Sequence, residues 1–172
     1  PDVMFVAVEK YQNVLLLAME KVRDAGLKNV LFIDADAATL ADVFDKDEVG
    51  RIYLNFSDPW PPKKRHKRRL THTRQLMQYR DFLAPGGGIF FKTDDEPLFT
   101  ASQRYLTEAG FEIAYLTDDL HASGYAPNYV SEHERFYSEQ GVPIRFLIAR
   151  MLPDGAFTPP QRKDIRLREA AD

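Results

Sequence analysis

An acid held between an apolar run and three prolines, followed at once by a block of positive charge, has the clearest capacity for chemistry in this chain. Asn55-Phe56-Ser57-Asp58-Pro59-Trp60-Pro61-Pro62 leads directly into Lys63-Lys64-Arg65-His66-Lys67-Arg68-Arg69. Across residues 59–80 there is no Asp or Glu, yet eight of the chain's 23 Lys and Arg fall there, with His66 and His72. The net charge is -3, so without those eight cations the chain would stand at -11. Positive charge gathered in one place on an acidic protein is the footprint of a grip on a polyanion such as nucleic acid. A solvated basic loop is the plain alternative, and the adjoining Asp58 motif weighs against it. Pro59, Pro61 and Pro62 stiffen the loop and restrict where Asp58 points. Trp60 offers either a stacking face for a base or a plug against the core.

Three more acids stand at comparable points, and the elements that position them follow from the apolar pattern. Residues 3–8 read as a strand ending at Glu9, followed by a helix in which Val14, Leu15, Ala18, Met19 and Val22 recur until Gly26. Val30 to Ile33 is a second strand, ending in Asp34-Ala35-Asp36, with a short helix around Leu40, Val43 and Phe44. Arg51 to Phe56 is a third, with the basic motif as the loop at its carboxyl end. Leu76, Tyr79 and Leu83 mark a helix, Pro85-Gly86-Gly87-Gly88 a turn, and Ile89 to Phe91 a strand reaching Lys92-Thr93-Asp94. Pro97 opens a helix, Phe111 to Leu116 is a further strand, and a polar loop leads to a last strand, Ile144 to Met151. Strands alternating with helices predict βαβ crossovers and a mostly parallel α/β sheet covered on both faces, with an antiparallel final strand. Ligands of such sheets sit at the carboxyl ends of the strands, where Glu9, Asp36, Asp58 and Asp94 all fall. A turn acid or helix cap is the simpler reading of any one of them; four in the same register are harder to dismiss.

Composition bounds the rest. With 172 residues, 44% hydrophobic and 12% aromatic, the chain suits one core. The expected domain covers residues 1–152, with residues 153–172 a peripheral tail. The absence of cysteine excludes disulfides, thiolate metal sites and cysteine nucleophiles, and the four histidines lack metal-ligand spacing, so no metal is expected. The apolar runs are too short to span a bilayer and no signal peptide is visible, so no membrane partner and a cytoplasmic address are expected. Composition leaves monomer and homodimer equally open.

The Asn55 to Arg69 motif resembles the signature of the bacterial tRNA guanine-N7 methyltransferases. Val8-Glu9, Asp36-Ala37, Lys92-Thr93-Asp94, Asp119-Leu120-His121, Ser131-Glu132-His133-Glu134 and Gly141-Val142-Pro143-Ile144 extend the match in the family's order from Glu9 to about Met151. The resemblance implies a class I, Rossmann-like methyltransferase that moves a methyl group from S-adenosylmethionine to N7 of the variable-loop guanine (position 46) of tRNA. Carried over by position, Glu9, Asp36 and Asp58 line the S-adenosylmethionine site, with Asp58 catalytic. Lys63, Asp94, Ser131, Glu132, His133 and Glu134 hold the guanine or nearby substrate, and Lys64, Arg65, His66, Lys67, Arg68 and Arg69 bind RNA. Pro62 stands where the family usually has lysine, with Lys63 taking that role, and Ser131 stands for the usual Thr. The family's first strand and Gly-rich cofactor loop have no counterpart here, so this reading expects them in a segment preceding Pro1.

The chemistry suits these residue types. Guanine N7 has a lone pair and no proton, so attack on a sulfonium methyl needs alignment more than a base; orientation is worth roughly 7 to 11 kcal/mol in favourable cases. Positive charge develops on the purine, and carboxylates near it, from among Asp58, Asp94 and Glu134, bind more strongly in the transition state. Two rivals remain. An amino-methylating nucleic-acid methyltransferase uses an Asp-Pro-Pro-Trp type of loop, whereas Trp60 directly follows Pro59 here. A noncatalytic RNA-binding module would keep the grip and bind no S-adenosylmethionine.

Overall fold

The computed structural model describes residues 3–161 and Ile165, and the chain divides into two compact units, residues 1–44 and 45–172. In the first unit β1 (Phe5–Glu9) and β2 (Val30–Asp34) pair in parallel, with Glu9 opposite Asp34. Parallel strands need a crossover, and α1 (Gln12–Asp24) supplies it. Gly26 stops the helix by taking φ 66°, a conformation open to glycine without a Cβ penalty. Of the expected apolar set, Leu15, Ala18 and Val22 are half-buried, whereas Val14 and Met19 are exposed. The short helix expected after β2 is a 3-10 turn, Ala37–Asp42, capped by Asp36 and burying Leu40.

The second unit carries β3 (Val49–Asn55), α2 (Thr73–Phe82), β4 (Leu83–Thr93), α3 (Glu96–Glu108), β5 (Phe111–Thr117), α4 (Glu132–Glu139) and β6 (Arg145–Met151). Its sheet has the order β3-β4-β6-β5; β3 and β4 are parallel, and β6 runs antiparallel to both β4 and β5. The expected antiparallel final strand is therefore present, inserted between two strands of the common direction. Alternation along β4 and β6 packs both faces. Ile89, Phe91, Leu147 and Ala149 are fully buried, with Phe91 stacked on Phe99 of α3 at 6.2 Å. The intervening Phe90, Phe146 and Ile148 form a core with Leu120 and Ile144.

Three sequence expectations are corrected. Leu83 starts β4 rather than closing α2, and the Pro85-Gly-Gly-Gly run lies inside that strand. A Cβ on Gly88 would come within 2.7 Å of the Ala149 carbonyl oxygen, so the neighbouring strand's approach requires glycine there. The basic segment is a 3-10 turn, Lys63–Arg68, rather than a loop. The polar loop after β5 contains α4, whose Ser131 hydroxyl accepts from the Glu134 amide at 3.1 Å. That Ser-x-x-Glu spacing is a helix-start signal legible in the sequence.

The first part of the expected tail packs on the second unit. Phe157 lies against Gly110 and beneath the Arg80 guanidinium, 4.1 Å from ring centroid to guanidinium carbon. Arg80 also donates to the Gly110 and Leu152 carbonyls and the Asp154 carboxylate. Residues 162–164 and 166–172 of the expected tail lie outside the described residues.

Candidate functional site

The Asp58 loop leaves β3 through strained backbone. Phe56 (φ 55°) and Trp60 (φ 45°) both occupy the left-handed region, which costs a non-glycine residue about 1–3 kcal/mol and persists only where surroundings over-determine it. Here the Phe56 amide donates to the Lys92 carbonyl at 2.9 Å, and the Phe56 ring packs on His133 at 4.3 Å. Between the two strained residues Asp58 is exposed. Beside it the Ser57 hydroxyl is buried with no hydrogen-bond partner among the described residues, an unmet polar group of the kind that marks a ligand or water position.

The 3-10 turn has an inner and an outer side. Arg69, expected on the RNA-binding face, is only 4% exposed, and its Nε donates to the Pro59 carbonyl at 2.7 Å. His66 is half-buried, with Nε2 3.2 Å from the Pro61 carbonyl. These two residues brace the proline loop from within because carbonyls that prolines leave without a local ladder need donors. Lys63, Lys64, Arg65, Lys67 and Arg68 are exposed. The guanidinium carbons of Arg65 and Arg68 lie 6.0 and 5.2 Å from the half-buried Trp60 ring centroid, so Trp60 supports the cationic side by cation–π contact.

The end of β4 and the first turn of α4 meet in a polar cluster. Lys92 Nζ donates to Asn128 Oδ1 (2.6 Å), Glu134 Oε2 (2.8 Å) and the Tyr129 carbonyl (3.2 Å), which satisfies all three ammonium protons. Glu134 is fully buried; its Oε1 accepts from Asn128 Nδ2 at 2.8 Å and lies 3.1 Å from His121 Nε2. Burial works to raise the Glu134 pKa, but the Lys92 and Asn128 hydrogen bonds and the Lys92 and His121 charges outweigh it and hold the carboxyl below its ordinary 4.5. Glu134, expected among the substrate-binding residues, is thus engaged within the protein. Its neighbour His133 stacks between Phe56 and Tyr137 (4.6 Å) and reaches Asp94 Oδ1 through Nε2 at 3.2 Å. Asp94 is held through its carbonyl by Arg145 at 3.1 Å, and Ser131 serves as the α4 cap. Glu132 is exposed. Asn128 escaped the sequence reading because a lone polar residue in a loop carries no periodic or motif signal, whereas Lys92 was legible through the Lys92-Thr93-Asp94 motif.

In the first unit Glu9 Oε1 accepts from the Lys10 and Tyr11 amides at 2.8 and 2.9 Å, and Asp36 Oδ1 from Ala38 at 3.0 Å. Lys10 Nζ lies 3.8 Å from Asp36 Oδ2. Both carboxylates therefore sit at the carboxyl ends of adjacent parallel strands, an acceptor set that fits the hydroxyl and amine groups of a nucleoside. Among the described residues no group of acids and histidines is arranged to hold a metal ion, and no helix is long and apolar enough to cross a membrane.

Residues 1–147 match the family model described as putative methyltransferase. The chain is 46% identical over 159 residues to a tRNA (guanine-N(7)-)-methyltransferase of Clostridium perfringens, covering 88% of this chain and 73% of that one. It is 49% identical over 157 residues to a protein of the same name from Acetivibrio thermocellus, covering 87% and 72%. Among solved structures, a SAM dependent methyltransferase from Aquifex aeolicus superposes with a TM-score of 0.58 at 14% identity, covering 87% of this chain and 69% of that one. That likeness extends to the Rossmann-like fold.

Proposed function

The chain belongs to the tRNA (guanine-N(7)-)-methyltransferase family, and from that premise we propose that it methylates N7 of the variable-loop guanine of tRNA with S-adenosylmethionine as donor. The single observation carrying the site assignment is the Asp58 loop: an exposed carboxylate held between two strained residues, next to a buried hydroxyl without a partner among the described residues and directly before the cationic turn. Strain retained at an exposed acid is a mark of function rather than of stability.

When bound, S-adenosylmethionine supplies an electrophilic methyl on a sulfonium. Glu9 and Asp36 are the proposed ligands of the first unit to its nucleoside, and Asp58 is the proposed catalytic acid of the second. That methyl would pass to the guanine N7 lone pair, the new N–C bond replacing the C–S bond, with a neutral thioether as the by-product and positive charge left on the purine. No proton need leave the base for this step. Asp58 and Asp94 stabilise the developing purine charge, a contribution larger in the transition state than before it. His133, held between Phe56 and Tyr137, orients Asp94. Glu134 acts at one remove, fixing α4 through Lys92. Lys63, Lys64, Arg65, Lys67 and Arg68 bind phosphates, which positions RNA without reading its sequence.

Nucleoside mass spectrometry of unmodified tRNA incubated with the protein and S-adenosylmethionine tests the reading. It requires 7-methylguanosine; a methylated exocyclic amine would favour the amino-methylating alternative.

A further inference from the structure

Tyr129 is 84% exposed, more than any other large apolar side chain among the described residues. Its backbone is nonetheless pinned. The Tyr129 carbonyl accepts from Lys92 Nζ at 3.2 Å, the preceding Asn128 side chain joins Lys92 and Glu134 at 2.6 and 2.8 Å, and Ser131 just beyond it caps α4. Lys92 stands at the end of β4 that delivers Asp94, so the segment is anchored at the rim of the candidate site within the second unit. A ring left in water forgoes the free energy of burial. This one is held out on ordered backbone, so engaging a ligand there costs little further loop ordering.

The neighbouring aromatic rings are already engaged. His133 is stacked between Phe56 and Tyr137 at 4.3 and 4.6 Å, and Trp60 is half-buried beside Arg65 and Arg68. The Tyr129 ring, by contrast, meets no other ring or cation among the described residues. Size selects the occupant. Tyr129 and the 43% exposed Val130 are two side chains of at most roughly 250 Å² each, well short of the about 1,200 Å² buried in a stable protein–protein interface, whereas one planar base needs only one ring face. Enzymes that modify a base take it out of its stack, which also strips the adjoining base of a stacking partner. We propose that Tyr129 stacks on the base next to the acceptor guanine and so holds the RNA strand open at the rim of the site. The proposal rests on the reading of the chain as a tRNA-modifying enzyme. It adds an uncharged, sequence-tolerant contact that the phosphate grip of the basic turn cannot supply.

The test is equilibrium binding of unmodified tRNA by the full chain across a salt series, without methyl donor. Tyr129→Ala is expected to weaken binding roughly 5- to 150-fold, the range of one lost base–aromatic stack. The slope of log affinity against log salt should stay at the wild-type value, because no phosphate contact is removed. Tyr129→Phe keeps the ring and is expected to bind as wild type. Because the side chain is exposed, both variants should keep the wild-type unfolding temperature. Wild-type affinity in Tyr129→Ala, a flattened salt slope in that variant, a Phe variant as weak as the Ala variant, or no binding by the wild-type chain would each overturn the proposal. Formation of 7-methylguanosine is scored separately. Binding that Tyr129→Ala weakens and Tyr129→Phe preserves, in a protein that forms no 7-methylguanosine on tRNA, would leave the stack standing and refute the activity.

Discussion

Lys92 Nζ and Glu134 Oε2 meet at 2.8 Å, joining the end of β4 to the first turn of α4 through a carboxylate that is fully buried. Asn128 and His121 complete the cluster, so the residues between β5 and α4 are tied to the strand that delivers Asp94. A buried charge that loses its partner is costly because desolvation is no longer offset. Lys92→Met is therefore expected to destabilise the protein by about 3–5 kcal/mol, and a Lys92→Met/Glu134→Leu double variant to recover much of that deficit. Denaturant unfolding of the set checks this; equal stability of Lys92→Met and wild type would contradict it.

The same carboxylate sets a pH dependence. Its folded pKa is lowered from 4.5, so its stabilising contribution is complete above the unfolded value and is lost as pH falls through the lower folded one. Thermal unfolding from pH 7 to pH 3 should show a wild-type advantage over Glu134→Gln that is level above about 4.5 and shrinks below it. An advantage that grew on acidification would have the wrong sign.

Asp58 is exposed and its neighbours carry the local strain, so its replacement should cost little stability. Asp58→Asn is expected to lower kcat by about 100-fold or more, the scale of removing one preorganised electrostatic interaction, while tRNA affinity and unfolding temperature stay near wild type. Single-turnover methyl transfer with saturating tRNA measures it.

The outer cations should act through phosphates. Replacing Lys64, Arg65 and Arg68 with Ala is expected to weaken tRNA binding and flatten the plot of log affinity against log salt by roughly 0.7–0.9 for each phosphate no longer neutralised. Arg69→Ala should behave differently. Its guanidinium is buried on the Pro59 carbonyl, so stability falls and the salt slope changes less. Filter binding across a salt series separates the two.

What the sequence made legible follows from which interactions are local. The β3 strand and the Asp58 loop were readable because prolines, an acid and a charge block adjoin in the chain. The antiparallel direction of β6 was anticipated, whereas the α4 helix that precedes it was not, because Glu132–Glu139 is mostly polar. The split between Arg69 and the exposed cations was not, since seven adjacent charged or histidine residues look alike until a 3-10 turn gives them an inside. Asn128 and the Glu134 hub depend on tertiary closure between residues as far as 42 positions apart, and no periodicity encodes that. The packing of Phe157 has no local signal for a similar reason, because Gly110 and Arg80 lie far from it in sequence.

The most direct measurement of the central claim is methyl transfer to two otherwise identical tRNAs, one with guanine and one with 7-deazaguanine at the variable-loop acceptor. Methylation at N7 predicts labelled methyl incorporation into the first and none into the second, because the attacking lone pair is absent. Equal incorporation into both would place the methyl on another atom and contradict the assignment.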